Sequence, residues 1–385
     1  MTLDDERLDR LRLAAEVDAG EAWVSRLVQA GGPRGAREQG RQIRHERLLR
    51  REPDADVDER RRPVDPEQVL AAAGRRGMRY VIPGDEEWPA SLDDLAWAEP
   101  LQERGGVPLG LWVRGPVRLT DLVGSGAVVG SRSATTYGAA TAVDIARTVA
   151  ATGRAVVSGA AFGIDRAAHR GALIAQGTTV AVLACGADRA YPKAHQELVD
   201  HLAQHGAVIS ESLPGWAPTR IRFLSRNRLI AALTAATVVV EAAVRSGALN
   251  TAGWASRLNR PLMGVPGPVT SAPSQGVHQL IRSGAATLVT SGAEVLEEVS
   301  AVGDYLLDLP RGPVRRRDRL DGRQRVVVES VPLVRPAAVE SIARTAQLSD
   351  GEAREALHEL AALGLVEETA GGWCLTSAAG ERGGR

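Results

Sequence analysis

Cysteine is almost missing from this chain: Cys185 and Cys374 are the only two among 385 residues, and they stand far apart. No CxxC pair and no Cys/His cluster accompanies them, so no ligand set for a zinc site can be read and no metal is expected. Such sparse cysteine fits a reducing compartment, and a cytoplasmic location is expected. Lysine is rarer still. Lys193 is the single lysine, so almost every cation is an arginine, and an anion site would be built from guanidinium groups, which match phosphate geometry. Aromatic residues make up 3% of the chain, which leaves few platforms for stacking. No uncharged run of eighteen or more strongly apolar residues is present, so no membrane span is expected. The start, Met1 to Glu6, is acidic and lacks an apolar signal core. No GxGxxG turn occurs and no acidic residue follows the first glycine turn at ribose spacing, which disfavours a dinucleotide site, and no cofactor is expected.

What is present divides the chain into five parts. Residues 1–62 are rich in Arg, Asp, Glu and Ala, with helical spacing of Leu8, Leu11, Ala15, Trp23 and Leu27 and a break at Gly31-Gly32-Pro33. A small N-terminal helical (SAM-like) domain is expected there, either a bland packing module or a DNA contact. The charged, proline-flanked stretch from Arg50 to Pro66 reads as a linker, and residues 63–126 as linker and extension to a core. Residues 127–300 form that core. Short apolar runs begin at Ala127, Ala155, Val180, Ala207, Val238 and Pro261, each followed by a small-residue turn and most then by a helical stretch. That alternation predicts an α/β fold: a doubly wound, mostly parallel Rossmann-like sheet covered on both faces. Residues 301–325 read as an arginine-rich linker, with seven arginines between Arg311 and Arg325. Residues 326–385 read as a C-terminal winged-helix domain: helices over 339–346 and 349–363, then two short strands.

Ligands on such sheets sit beyond the carboxyl ends of the strands, so the turns there carry the candidate site. The first core strand ends in Gly130-Ser131-Arg132, where glycine admits a phosphate, serine can donate a hydrogen bond and arginine can grip bidentately. The second ends in Ser158-Gly159, and Gly163 and Asp165 open the next helix with His169 one turn on. Asp165 and His169 can be purely structural, or Asp165 can organise a cradle of backbone amides. The third leads to Gly186 and Lys193, the fifth is preceded by Arg226-Asn227-Arg228, and Ser246, Gly247 and Thr251 follow it. Charge points the same way. Between Ala127 and Val289 there are fifteen Arg and Lys against seven Asp and Glu, about +8 in a chain of net charge zero. Residues 326–385 carry five basic and nine acidic residues. A basic domain within a neutral chain is the footprint of a polyanion partner.

Seven blocks of the core resemble, in order, the DNA-processing family DprA/Smf: AVVGSRSATTYG from Ala127, VVSGAAFGIDRAAHRGAL from Val156, AVLACGADRAYP from Ala181, Arg226-Asn227-Arg228, EAAVRSGALNTA from Glu241, Val265-Pro266-Gly267, and GVHQLIRSGA from Gly276. The segments YVIPGDEEWPASLDDL from Tyr80 and LWVRG from Leu111 are similar to the extension that precedes the family's core. The resemblance implies binding of single-stranded DNA without catalysis, homodimerisation, and loading of the RecA recombinase in natural transformation. It implies that Arg132 and Lys193 contact phosphates and that His278 and Ile281 lie at a dimer contact. His195 departs from the family, which often has Asn there. Tyr137, Tyr191 and Phe223 are the nearest candidates for base stacking. The competing reading is a nucleotide-binding hydrolase of the related phosphate-binding superfamily, with Asp165, His169 and Glu241 as acid and base. Against it, Ala252-Gly253-Trp254 follows Thr251, with no carboxylate where those hydrolases place one.

Overall fold

The computed structural model describes residues 2–48, 64–300, 304–305 and 316–377. The Arg50 to Pro66 linker lies almost wholly outside the described residues, as does much of the arginine-rich one. The chain forms two compact units, divided between residues 307 and 308.

The first unit is built on one nine-stranded sheet in the order β1-β2-β6-β5-β4-β3-β7-β8-β9. Six strands fall on the apolar runs of the sequence: β3 (Gly126–Val129), β4 (Val156–Ser158), β5 (Thr179–Leu183), β6 (Ala207–Ser210), β7 (Ala236–Val239) and β8 (Leu262–Gly264). They are parallel, as is the short edge strand β9 (Thr287–Leu288). Two strands lack that signature. β1 (Met78–Val81) and β2 (Leu111–Arg114) extend the sheet antiparallel beyond β6, so the extension before the core is part of the same sheet.

Residues alternate between faces with the period of two that a pleated strand imposes. Val129, Val157, Val180, Val182, Ile209 and Val239 face the helices Arg220–Leu233 and Ala248–Arg257. Val128, Val156 and Val238 face the helices Thr136–Ala151, Ile164–Ile174 and Gly292–Val299. With both faces covered, each fully buried valine contributes roughly 1.5–3 kcal/mol.

The N-terminal helices share this core. Helix Leu3–Glu16 starts at Thr2, whose side chain caps Asp5 in a capping box, and buries Leu11 and Leu13 beside Tyr80, Trp112, Leu183 and Val208. The Tyr80 and Trp112 rings lie 4.7 Å apart. The helix Ala22–Leu48 is broken at Gly32, which has φ 70°. The following proline fits the first turn of the next helical stretch, where its missing N–H costs nothing.

The second unit contains the helices Gly322–Ser330, Val339–Ala346 and Asp350–Ala362, then an antiparallel hairpin of β10 (Val366–Thr369) and β11 (Gly372–Leu375). Its core gathers Val327, Val328, Ile342, Leu357, Leu360 and Trp373.

Candidate nucleic-acid cleft

The sheet runs outward from β3 in two directions, through β4 to one edge and through β7 to the other. The connections after β3 and β7 therefore leave on opposite sides and open a crevice, the switch point at which doubly wound sheets bind ligands. A cavity of about 740 Å³ lies there, lined by Gly130, Ser131 and Arg132 after β3 and by Arg245, Ser246 and Gly247 after β7. Helix Arg220–Leu233 contributes Arg220, Phe223, Arg226 and Asn227 to its wall, and Asp165 and Thr251 complete it. Four arginines thus meet one carboxylate.

Most polar backbone groups of these turns are already engaged. The Ser131 amide donates to the Glu241 carbonyl at 2.7 Å, and the Ser131 carbonyl accepts from the Ile164 amide at 3.1 Å. Asp165, 5% exposed, accepts from the amides of Gly159 and Ala161 at 3.1 and 3.3 Å, so these amides turn to the carboxylate and away from any ligand. Burial raises the Asp165 carboxyl above its ordinary range, while Arg226 and the two amides oppose that shift. The Arg226 guanidinium is lowered by its own burial, with Asp165 opposing. One of its arms donates to the Val182 carbonyl at 2.8 Å, and a Cβ on Gly159 would overlap that guanidinium. Arg132, Arg220 and Arg245 are different. All three are exposed and form no ion pair among the described residues. Their heads are the donors the cleft offers, and guanidinium suits phosphate bidentately. Arg220 and Arg245 were not among the expected site residues, although Arg245 directly precedes Ser246 in the EAAVRSGALNTA segment.

Several expected site residues serve the fold instead. Arg228 is fully buried; it makes two 2.7 Å bonds to the Glu211 carboxylate and donates to the carbonyls of Gly106 and Ser225. With four of its five N–H donors engaged and none of its surface exposed, it stands apart from the cleft lining, which corrects its place among the DNA contacts. Ser158 is buried and donates to the Val128 carbonyl at 2.7 Å. Gly163 has φ 75° and brings its backbone against the Ser131 carbonyl, where no side chain would fit. Gly186 is pressed against Asp188, Leu213 and Gly215, apart from the cleft lining. Lys193 is exposed on the turn after Tyr191 and does not line the cavity.

The other two side chains suited to acid–base work, Glu241 and His169, are occupied like Asp165. The Glu241 carboxylate accepts from the Thr135 amide at 2.9 Å and its hydroxyl at 2.5 Å, against the first turn of helix Thr136–Ala151. A side chain at Gly138 would collide with it. The position where nucleotide-binding folds hold a phosphate is therefore filled by the protein's own carboxylate. His169 is fully buried, with Nδ1 donating to the Thr179 hydroxyl, which itself donates to the Val156 carbonyl. Burial lowers its pKa to about 3. His278 lies on helix Gln275–Arg282 and donates to the Gly267 carbonyl at 3.0 Å. Ile281, half-buried, packs against its own core.

Fold and cleft together define a doubly wound α/β protein with an arginine-lined crevice at its switch point. The chain belongs to the family of DNA recombination-mediator protein A, whose model matches residues 79–300. It is 42% identical over 364 residues to the DNA processing protein DprA of Mycobacterium tuberculosis, covering 91% of this chain and 90% of that one. Its identity to the DNA processing protein DprA of Streptococcus pneumoniae is 39% over 208 residues, 54% of this chain and 73% of that one. The X-ray structure of DNA processing protein A from Streptococcus pneumoniae resembles it with a TM-score of 0.58 at 28% identity, covering 77% of this chain and 99% of that one. Among the described residues no helix is long and apolar enough to cross a membrane.

Proposed function

We propose that the cleft binds single-stranded DNA through its phosphates and that the protein acts without catalysis as a recombination mediator, loading RecA onto the bound strand during uptake of DNA. The observation that carries this reading is the set of three exposed arginines, with no ion pair among the described residues, around one open crevice. An extended polyanion can satisfy them together, whereas a mononucleotide would meet the Glu241 carboxylate at the helix start. Lys193, outside the crevice, would extend the track along the backbone as a point charge. Two copies joined around the helix bearing His278 and Ile281 would place two tracks on one strand and raise avidity.

The test is salt-dependent binding of oligo-dT, run beside hydrolysis of nucleoside monophosphates. Binding that weakens linearly in log salt, with no hydrolysis, is expected. Hydrolysis without oligomer binding would replace this function with the hydrolase reading. Sedimentation at micromolar concentration checks the dimer, and a monomer alone would remove it.

A further inference from the structure

The chain has two phenylalanines, and both stand at this end of the sheet. Phe223 lines the cleft. Phe162 lies beside it in the loop after β4, between the cleft-lining residues Ala161 and Asp165, and leaves 45% of its surface exposed. Among the described residues, the hydrophobic clusters of the first unit do not include its ring.

The loop that carries Phe162 is held from both sides. Inside, Asp165 accepts from the Gly159 and Ala161 amides. Outside, the buried His195 donates from Nδ1 to the Ala160 carbonyl at 2.9 Å. Ala160 and Gly163 bracket the ring with φ of 52° and 75°. The Phe162 ring meets His195 at 4.7 Å with an interplanar angle of 69°. An edge-to-face contact of this kind supports the ring without covering both its faces. His195 also begins the helix that follows the Tyr191 turn, and Tyr191 in turn lies 5.7 Å from Phe223. Tyr191 and Phe223 thus line the cleft with the guanidiniums, and Phe162 directly follows the lining residue Ala161.

From this geometry we infer that Phe162 is a stacking platform for a nucleobase of the bound strand. The inference rests on the reading of the cleft as a single-strand site. A phosphate track needs charge alone; a large apolar ring left half-exposed beside that track adds affinity only if the ligand carries flat apolar faces. Every nucleobase does, so the contact is tolerant of sequence. His195 acts as the positioning residue that mounts the ring.

The experiment measures binding of the full-length chain to labelled oligo-dT and to an abasic deoxyribose-phosphate oligomer of equal length, over a salt series. Wild type, Phe162→Ala and Phe162→Tyr are compared, with a thermal melt for each. Phe162→Ala is expected to lose about 5- to 150-fold on oligo-dT, the range for one stacked base. On the abasic oligomer it stays within about twofold and keeps the salt slope of wild type, since no phosphate contact is lost. Phe162→Tyr, which keeps the ring, retains oligo-dT binding. Equal losses on both oligomers, or an unchanged oligo-dT affinity in Phe162→Ala, overturn the assignment. Wild-type protein that binds neither oligomer overturns the single-strand reading itself, and this inference with it.

Discussion

The Arg132 guanidinium stands over the Phe223 ring, 4.6 Å from its centroid. The ring comes from the helix that also supplies Arg226, so the charge after β3 is aimed by a neighbour distant in sequence. Cation–π contact of this kind contributes roughly 0.5–1 kcal/mol at exposed sites, and it reduces the rotamers the arginine must lose on gripping a phosphate.

Arg132→Ala is therefore expected to weaken single-stranded DNA binding by roughly 1–3 kcal/mol, the range for a lost charge-assisted contact. The slope of log affinity against log salt flattens by about 0.7, the value for one phosphate on a single strand. Titration of oligo-dT at several salt concentrations checks both. A folded variant with unchanged affinity and slope removes Arg132 from the cleft.

Arg228, two residues from Arg226, is expected to matter for stability. Arg228→Ala leaves the Glu211 carboxylate without its bidentate partner, at a cost of about 3–5 kcal/mol for a broken buried pair. Lys193→Ala, at an exposed position, stays within about 0.5 kcal/mol. Denaturant midpoints of the two variants test the contrast, and similar midpoints would contradict it.

His169 makes stability depend on pH. Its folded pKa of about 3 lies below the ordinary 6.5, so the unfolded chain takes up a proton that the folded chain refuses. The contribution is complete above 6.5 and is lost progressively as pH falls toward 3. Between pH 7 and pH 5 this one group removes about 2 kcal/mol. His169→Asn, which can still donate to Thr179, is expected to reduce the loss measured from denaturant midpoints at the two pH values. An identical pH slope in the variant argues against the assignment.

The second unit presents acid where a DNA-reading helix would carry base. Helix Asp350–Ala362 exposes Asp350, Glu352 and Glu355 and leaves Glu359 half-buried. Arg323 is engaged by Glu355 and Glu359. Phosphate repulsion opposes docking of this helix in a major groove. Removing residues 326–385, which carry five basic against nine acidic residues and leave the arginine-rich stretch in place, is expected to leave affinity for single-stranded DNA unchanged or to improve it. A tenfold loss on removal, or micromolar duplex binding by the isolated unit at physiological salt, refutes this.

The sequence alone determined the parallel core and the location of its chemistry. Runs such as Val128-Val129 and Val156-Val157 between glycine turns have one stable arrangement, buried on both faces, and strand order then brings their ends together. It also determined that the charge at those ends would be arginine. Tertiary structure decided which arginines remain available. Arg226 and Arg228 are adjacent members of one motif, but two residues along a helix is a rotation of about 200°, so one faces the cleft and the other the buried Glu211. Composition likewise sets residues 1–62 apart, while packing gives Leu11 and Leu13 to the same core as Trp112 and Val208. The strands β1 and β2 were hidden for the same reason. Their pairing is a long-range contact, and four-residue segments such as Met78–Val81 and Leu111–Arg114 carry too little periodicity to announce it.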